Sequence, residues 1–322
     1  MLMASRAYWL LAPLTALAVL AIHPGISDAS QKCPFRAAST VVPSPSNELR
    51  ALATQASAAK APSTSTRFIS MGYYPGWEMN KTPVTEVDYT AFTTIMSFGM
   101  YPSPDGGVGI NDMQSAENAR AQVAAAHTAG KKINLTIGGE GQGTGFLGAA
   151  SNRHRATFIR NIIDTMQTYG YDGVDIDWEE QVPQHQSDYV ALVHELRGML
   201  NVFSPVSYLS IDVDTGQIPP PIVTQLYASV DSVNLMSFWS DGLDQVSAYT
   251  SAGVPANKLV LGIGLSADYV DQTVESVQTK VNLAKTKGLL GTLCWEIGNL
   301  KTARTDPRLQ PLRRAVAGSA AV

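Results

Sequence analysis

Short apolar runs of strand length recur along the chain after Arg67, and longer segments with helix-compatible apolar spacing separate them. The predicted strands are Phe68–Tyr74, Thr93–Gly99, Lys132–Gly138, Gly173–Glu179, Ser207–Val213, Ser232–Phe238, Lys258–Leu265 and Leu289–Trp295. The predicted helices are Thr82–Phe92, Ala116–Ala129, Arg153–Tyr169, Ser187–Asn201, Asp241–Ala252 and Asp271–Lys287. Alternation of strands and helices indicates a parallel sheet, because parallel strands need crossover connections.

The number of strand–helix units predicts the fold class, which is an α/β protein with a closed (β/α)8 TIM barrel. Eight units in about 250 residues match the usual size of such a barrel, so residues 67–322 are predicted to form a single domain. The alternative is an open, doubly wound sheet. That fold favours a glycine-rich phosphate loop after the first strand, but the segment Gly72–Trp77 carries aromatic rings that would crowd a pyrophosphate. The barrel places a functional site at the carboxyl ends of its strands.

The first 66 residues differ in composition from the predicted barrel. Arg6 precedes an apolar run, Tyr8–Ile22, and small residues follow at Ser27 and Ala29, which is typical of a signal peptide over residues 1–29. The alternative is a membrane anchor, but this run is shorter than the ~20 residues that span a bilayer. Residues 30–66 are rich in Ala, Ser, Pro and Thr and are predicted to be a flexible leader. We therefore expect a secreted protein, extracellular or periplasmic.

Net charge and cysteine content argue against several kinds of binding partner and bound group. A formal net charge of −4 gives no electrostatic support for nucleic acid or for an anionic membrane surface once the signal is removed. Cys33 lies in a polar tail and Cys294 in an apolar run, so both are predicted to be unpaired thiols. Cys and His residues show no metal-ligand spacing. We expect a monomer with no cofactor and no metal.

The segment Tyr171–Glu180 carries the most informative chemistry of the chain. Strand side chains alternate between faces, so three carboxylates share one face and three apolar side chains share the other: Asp175, Asp177 and Glu179 against Val174, Ile176 and Trp178. In a barrel the apolar set packs against the helices, and the carboxylates face the lumen with Glu179 nearest the rim. Two alternatives stay open, a solvated acidic strand end and a Ca²⁺ or Mg²⁺ site.

Crowded carboxylates have a chemical use. Buried charges are unfavourable unless they are paired or used, and mutual repulsion raises the pKa of at least one member of the cluster. A carboxyl group that keeps its proton near neutral pH can act as a general acid on a glycosidic oxygen. The pattern therefore favours catalysis over the two alternatives.

At these residues the chain resembles the family 18 glycoside hydrolases, the chitinase family. The family signature, Asp-x-x-Asp-x-Asp-x-Glu on the fourth strand, is filled by Asp172, Asp175, Asp177 and Glu179. Three further segments are similar to family strands: the first strand with its turn, the third strand, which retains a hydroxyl at Thr136, and the eighth, which carries Trp295. They are Gly72–Trp77, Thr136–Gly139 and Gly291–Glu296.

The resemblance implies substrate-assisted retaining hydrolysis, in which the acetamido oxygen of the substrate attacks the anomeric carbon. Glu179 would protonate the leaving oxygen and later activate water. Asp177 would turn toward Glu179 and the acetamido N–H. Asp175, held by the Thr136 hydroxyl, would share a proton with Asp177, and Asp172 would support the cluster.

The resemblance also implies a substrate-binding set of largely aromatic residues. They are Tyr73, Trp77, Phe98, Met236, Phe238, Trp239 and Trp295. The sixth family strand often reads Met-x-Tyr-Asp, and its Tyr hydroxyl bonds the acetamido carbonyl. Here the segment ends in Phe238-Trp239, so that donor is lost. A missing donor to a developing charge costs about 3 kcal/mol, or roughly a hundredfold in rate.

The loop after the seventh predicted strand bears on the expected activity. Only Ser266–Val270 precede the next predicted helix, so the small α+β subdomain that some family members insert there does not fit. We expect a shallow, open cleft and internal cuts in chitin or chitooligosaccharides, which are β-1,4-linked N-acetylglucosamine polymers. The alternatives are an endo-β-N-acetylglucosaminidase acting on N-glycan or peptidoglycan, and a weakly active or non-catalytic sugar-binding protein.

Overall fold

The computed structural model describes residues 68–110, 114–266, 269–271, 273–299 and 305–319. The predicted signal peptide, the predicted leader and Cys33 lie outside the described residues and stay predictions. Cys294 is a buried free thiol. Within the described part of the chain, no helix combines the length and the apolar composition needed to cross a membrane.

The described residues contain eight parallel strands that form a closed barrel. Strand β1 pairs with both β2 and β9, which closes the ring, and a short β3 extends β2 as an antiparallel partner outside it. The strands are β1 Ile69–Pro75, β2 Thr94–Pro102, β3 Val108–Gly109, β4 Lys132–Gly138, β5 Gly173–Asp177, β6 Tyr208–Val213, β7 Ser232–Leu235, β8 Leu259–Gly264 and β9 Gly291–Trp295. The predicted (β/α)8 barrel is confirmed.

Helices cover the outside of this barrel. They are α1 Ala116–Thr128, α2 Gly143–Ala149, α3 Arg155–Tyr169, α4 Gln186–Phe203, α5 Pro220–Val223, α6 Leu243–Ser251, α7 Val274–Thr286 and α8 Gln310–Ser319. The chain passes from the end of β8 to the start of α7 within the segment Leu265–Thr273, so no subdomain is inserted there.

The connector between β1 and β2 differs from the sequence prediction. Thr82–Phe92 contains only a 3-10 turn at Tyr89–Ala91 instead of an α-helix. The Asp88 side chain accepts a hydrogen bond from the Thr90 backbone N–H at 3.1 Å, and a side chain that bonds its own backbone in this way favours a turn over a helix.

Helix α2 was not predicted, because glycine-rich segments have low helix propensity. A close approach explains one of its glycines: a Cβ atom at Gly145 would lie 2.2 Å from the Pro102 carbonyl oxygen. The helix therefore packs tightly against the end of β2, where sequence periodicity gave no signal.

Two apolar layers hold the barrel. A large outer layer lies between strands and helices and includes Val174, Ile176 and Trp178. A small inner layer fills the lumen with side chains that include Met71, Tyr73, Met96, Phe98, Val260 and Leu293. The predicted outward orientation of the apolar residues of β5 is confirmed, and the lumen above the inner layer is left for polar groups.

Candidate active site

A cavity of about 250 Å³ opens at the carboxyl ends of the strands. Nine of the residues predicted for the site line it: Tyr73, Trp77, Phe98, Asp177, Glu179, Met236, Phe238, Trp239 and Trp295. Other residues that line it were not predicted, and they include Tyr101, Glu140, Gln142, Asp212 and Tyr269. The structure thus gathers residues from distant parts of the sequence around one opening.

Strand β5 positions the two outermost carboxylates. Its pairing with β4 ends at the Gly138–Asp177 pair, where Gly138 adopts a φ of 120°. A Cβ atom at Gly138 would lie 2.0 Å from the Asp177 carbonyl oxygen, so the close approach requires glycine. Glu179 therefore stands just beyond the strand rather than within it, yet its side chain still faces the cavity.

Asp175 lies fully buried below the cavity floor and accepts hydrogen bonds from four side chains. Tyr73 donates at 3.0 Å and Thr136 at 3.1 Å to Oδ2, while Asn234 donates at 3.2 Å and Ser210 also donates to Oδ1. The predicted contact with Thr136 is present. Burial raises the pKa of Asp175, and the hydrogen bonds from Ser210, Tyr73 and Thr136 oppose the rise because they stabilise the ionised form.

Asp177 lies between this buried group and the cavity, and it is 4% exposed. Its Oδ1 atom has no hydrogen-bond partner, and within the described residues no hydrogen bond joins it to Asp175. The proton sharing expected between these two residues is therefore not seen in this conformation. Burial raises the pKa of Asp177 well above its usual range, and the charges of Glu179 and Asp175 raise it further. Asp177 is thus poised to take up a hydrogen-bond donor.

Glu179 occupies the rim. Gln217, from the loop after β6, donates a hydrogen bond to its Oε2 atom at 3.2 Å. Burial raises the pKa of Glu179, the Gln217 contact opposes the rise, and the nearby charges of Glu180 and Glu140 raise the pKa further. A carboxyl group with a raised pKa beside an open cavity has the protonation behaviour that a general acid needs.

Glu180 holds in place the loop at residues 139–143, part of which lines the cavity. Its carboxylate accepts hydrogen bonds from the backbone N–H groups of Gly141 and Gly143, the latter at 2.8 Å. The Trp178 indole donates to the Glu180 carbonyl at 2.7 Å. Glu180 therefore anchors the loop that carries Glu140.

Aromatic rings form the walls. Trp295 contacts Phe98 at 4.9 Å and Tyr73 at 5.3 Å between ring centroids, both edge-on. Trp239 contacts Tyr269 at 5.1 Å between ring centroids, and Trp239 is 64% exposed. Exposed and half-exposed aromatic faces beside polar groups are typical of sites that bind sugars or other ring-shaped ligands.

A buried ion pair holds the backbone next to Phe238, a residue that lines the cavity. Lys280 of α7 donates to the backbone carbonyls of Ser237 at 2.7 Å and Gly262 at 2.9 Å, and its Nζ lies 2.8 Å from Asp271. Asp271 in turn accepts from the Gly264 N–H at 2.9 Å. This pair ties the ends of β7 and β8 together.

Asp172 is not part of the site, which corrects the supporting role predicted for it. It precedes β5, at the opposite end of the strand from Glu179. There it pairs with Lys132 at 2.6 Å and His127 at 2.8 Å and accepts from the Ile133 N–H at 3.0 Å. These contacts join the starts of β4 and β5 to α1, so Asp172 stabilises the barrel far from the cavity.

Sequence reasoning missed Asp212 and Asn234, although a signal was present. Ser210 and Asp212 alternate on β6, as Ser232 and Asn234 do on β7, in the same period-two pattern as the acids of β5. Polar residues at alternate positions of an otherwise apolar barrel strand indicate side chains in the lumen. Across the described residues, no group of three or more His, Cys, Asp or Glu side chains has the arrangement of a metal site.

A parallel barrel with carboxylates and aromatic rings at the carboxyl ends of its strands has the architecture of the TIM-barrel enzymes. The sequence profile described as glycosyl hydrolases family 18 matches residues 69–274, and the chain belongs to this family. It is 29% identical over 204 residues to Chitinase 1 of Aphanocladium album, covering 52% of this chain and 46% of that protein. It is 24% identical over 247 residues to a chitinase-like effector of Moniliophthora perniciosa, covering 62% and 56%. The chain thus spans about half the length of these relatives.

Solved structures are similar in fold. The class V chitinase of Nicotiana tobaccum superposes with a TM-score of 0.66 at 19% identity, covering 80% of this chain and 99% of that one. The GH18 chitinase of Cycas revoluta, in complex with (GlcNAc)3, superposes with a TM-score of 0.65 at 18% identity, covering 78% and 99%. At these identities the likeness shows the fold alone. The protein is therefore a chitinase or a chitinase-like protein of family 18.

Proposed function

We propose that the protein is a secreted, endo-acting chitinase that cleaves β-1,4-linked N-acetylglucosamine polymers with Glu179 as its general acid. The observation that carries this proposal is the position of Glu179, whose carboxyl group lines an aromatic-walled cavity and has a raised pKa. A sugar ring packed against Trp295 would bring its glycosidic oxygen toward this acid. Substrate-assisted attack then requires a group that holds the acetamido N–H.

Asp177 supplies that group in the proposed mechanism. Its Oδ1 atom lacks a partner, and its side chain lines the cavity beside Glu179. A substrate N–H donated to Asp177 would orient the acetamido oxygen toward the anomeric carbon and stabilise the positive charge that develops on the acetamido group. Glu179 gives its proton to the leaving oxygen and then takes a proton from the water that opens the intermediate, so the anomeric configuration is retained.

Internal cleavage is proposed from the form of the cleft. The passage from β8 to α7 contributes Tyr269 to the cavity wall but inserts no subdomain that would deepen the cleft, so a long polymer could lie across it. N-glycans and peptidoglycan contain the same acetamido group, and the catalytic residues do not distinguish these substrates from chitin. Mass-spectrometric product analysis after incubation with chitin oligomers, an N-glycan and peptidoglycan separates the three: internal chitin fragments support the proposal, and products from either other substrate alone would replace it.

The substitution Glu179→Gln tests the assigned acid. We expect hydrolysis of a chitin oligomer to fall by at least about a thousandfold, because an amide cannot donate the required proton, while oligomer binding measured by calorimetry stays close to that of the native protein. Glu195→Gln is the matched control, since Glu195 pairs with Arg155 on the outer surface, and it should keep full activity. Undiminished turnover in the Glu179 variant would remove this residue from its role.

A second candidate function is sugar binding without efficient hydrolysis. Two observations favour it: Phe238 offers no hydroxyl to the cavity, and one relative is described as a chitinase-like effector. In that case the native protein binds chitin oligomers but shows no more turnover than its Glu179→Gln variant. The proposal of secretion depends on the predicted signal peptide at residues 1–29. It is tested by recovering the protein from culture medium and determining its amino-terminal sequence, which should lack these residues.

A further inference from the structure

Asp212 on β6 is a fourth carboxylate in the lumen, and it is 1% exposed. Two neutral side chains each connect it to Asp175. The Tyr73 hydroxyl contacts Oδ2 of Asp212 and lies 3.0 Å from Oδ2 of Asp175. The Asn234 amide nitrogen lies 2.9 Å from Oδ1 of Asp212 and 3.2 Å from Oδ1 of Asp175. The two acids are thus connected twice, through the same pair of donors.

The number of available protons constrains this arrangement. A tyrosine hydroxyl carries one proton but can also accept a hydrogen bond, whereas an ionised carboxylate can only accept. Both contacts of Tyr73 are satisfied when Asp212 is protonated and donates to the Tyr73 oxygen, because Tyr73 then donates its own proton to Asp175. Asp175 is the better site for the negative charge, since Thr136 and Ser210 also donate to it.

We propose that Asp212 is a positioning residue: a neutral carboxylic acid that donates to Tyr73 and thereby keeps Asp175 ionised beneath Asp177. Its influence on hydrolysis rests on the proposed function, because there the buried negative charge of Asp175 would favour the positive charge that develops on the substrate. The protonation state itself does not depend on any activity.

The surroundings of Asp212 agree with a neutral acid. Burial raises its pKa well above the usual range, and the charges of Asp175 and Asp177 raise it further. The titratable groups that face it are Tyr73 from β1, these two acids from β5 and Tyr189 from α4. The hydrogen bonds with Tyr73 and Asn234 oppose this rise, but within the described residues no lysine or arginine forms an ion pair with Asp212 that would compensate a second buried negative charge.

The substitution Asp212→Asn tests the inference because asparagine keeps the shape, keeps an oxygen for Asn234 and replaces the O–H donor with an N–H donor. We expect kcat on a chitin oligomer at neutral pH to stay within about threefold of the native value. Asp212→Ala removes the donor and opens a void beside Tyr73, so kcat should fall by at least about thirtyfold with a smaller change in KM. If Asp212 were ionised in the native protein, the asparagine variant would be impaired as severely as the alanine variant.

A direct measurement follows the proton without using activity. In protein labelled with ¹³C at the aspartate carboxyl carbons, the resonance missing from Asp212→Asn is that of Asp212. We expect it to report a protonated carboxyl group through neutral pH, and a resonance of the ionised form there would overturn the proposal. Native protein that lacks hydrolytic activity but shows the protonated resonance would contradict the proposed function alone. Thermal unfolding of both variants establishes that the kinetic comparison is made on folded protein.

Discussion

Substitution of Glu180 tests two properties of the cavity rim that can be measured separately, the stability of its loop and the pKa of Glu179. The Glu180 carboxylate holds the loop at Gly141 and Gly143 through backbone hydrogen bonds, and its charge raises the pKa of Glu179. Glu180→Ala removes both effects. Glu180→Gln removes the charge but keeps one carbonyl oxygen for the loop.

The expected loss of stability comes from the two hydrogen bonds. A hydrogen bond to a charged group contributes about 1.5–3 kcal/mol, and partial exposure of Glu180 to solvent reduces this. We therefore expect Glu180→Ala to lower the free energy of unfolding by roughly 2–3 kcal/mol, which for a domain of this size is a fall in Tm of roughly 4–12 °C. Glu180→Gln should show about half of this loss. Calorimetry or thermal unfolding followed by circular dichroism measures both.

The charge effect has a definite sign. Under the proposed function, activity requires protonated Glu179, so the rate falls as the pH rises through the pKa of this group. Removing a neighbouring negative charge favours ionised Glu179 and lowers its pKa, so the alkaline limb of the kcat/KM profile should move to lower pH in Glu180→Gln. The matched control is Glu140→Gln on the same loop. The charge of Glu140 also raises the pKa of Glu179, but within the part of the chain that the structure describes its side chain forms no hydrogen bond to the loop backbone.

We expect Glu140→Gln to move the alkaline limb in the same direction while leaving the thermal midpoint within about 2 °C of the native value, because surface substitutions away from special contacts have small effects on stability. Two results would refute this reasoning. One is a Tm for Glu180→Ala equal to that of Glu140→Gln, and the other is an alkaline limb that moves to higher pH when either charge is removed.

Two further predictions concern Phe238 and the buried ion pair beside it. Lys280→Met leaves the Asp271 carboxylate buried without its partner, so the free energy of unfolding should fall by about 3–5 kcal/mol in urea titrations. Lys287→Met, at the exposed residue directly after the same helix, should change it by less than about 0.5 kcal/mol, and equal effects would show that the pair contributes little. Phe238→Tyr adds a hydroxyl to the cavity wall and, under the proposed function, should raise kcat on chitin oligomers by up to about a hundredfold. The same change should give no increase when Glu179 is also replaced by Gln. An unchanged or lower kcat in the single variant would contradict the assigned position of the missing donor.

The barrel was predictable because its strands are short apolar runs with crossover segments between them, and the acids of β5 were predictable because strand alternation fixes their faces. The predictions failed where local preference and tertiary packing disagree. Helix α2 contains glycines that weaken a helix in isolation but allow contact with β2. In the first connector, the hydrogen bond from the Thr90 backbone N–H to the Asp88 side chain favours a turn over the predicted helix.

The candidate site was predictable only in part, for a similar reason. Asp172 fits the sequence signature, but the position of a residue within a signature does not tell at which end of a strand it lies, and its partners Lys132 and His127 are distant in sequence. Asp212 and Glu180 form contacts that depend on register and loop geometry. Their hydrogen-bond partners could not be named before the strands were placed beside one another.

The stacking of Trp178 on Phe146 has a consequence for engineering this protein. The two rings lie 5.0 Å apart and nearly parallel, on the far side of the backbone from the acids. Trp178 stands between Asp177 and Glu179 in the chain, so this fully buried contact helps to fix the backbone that carries both carboxyl groups. Under the proposed function, shortening the Phe146 side chain would alter hydrolysis without touching the cavity, so attempts to repack the outer layer for thermostability should keep this contact.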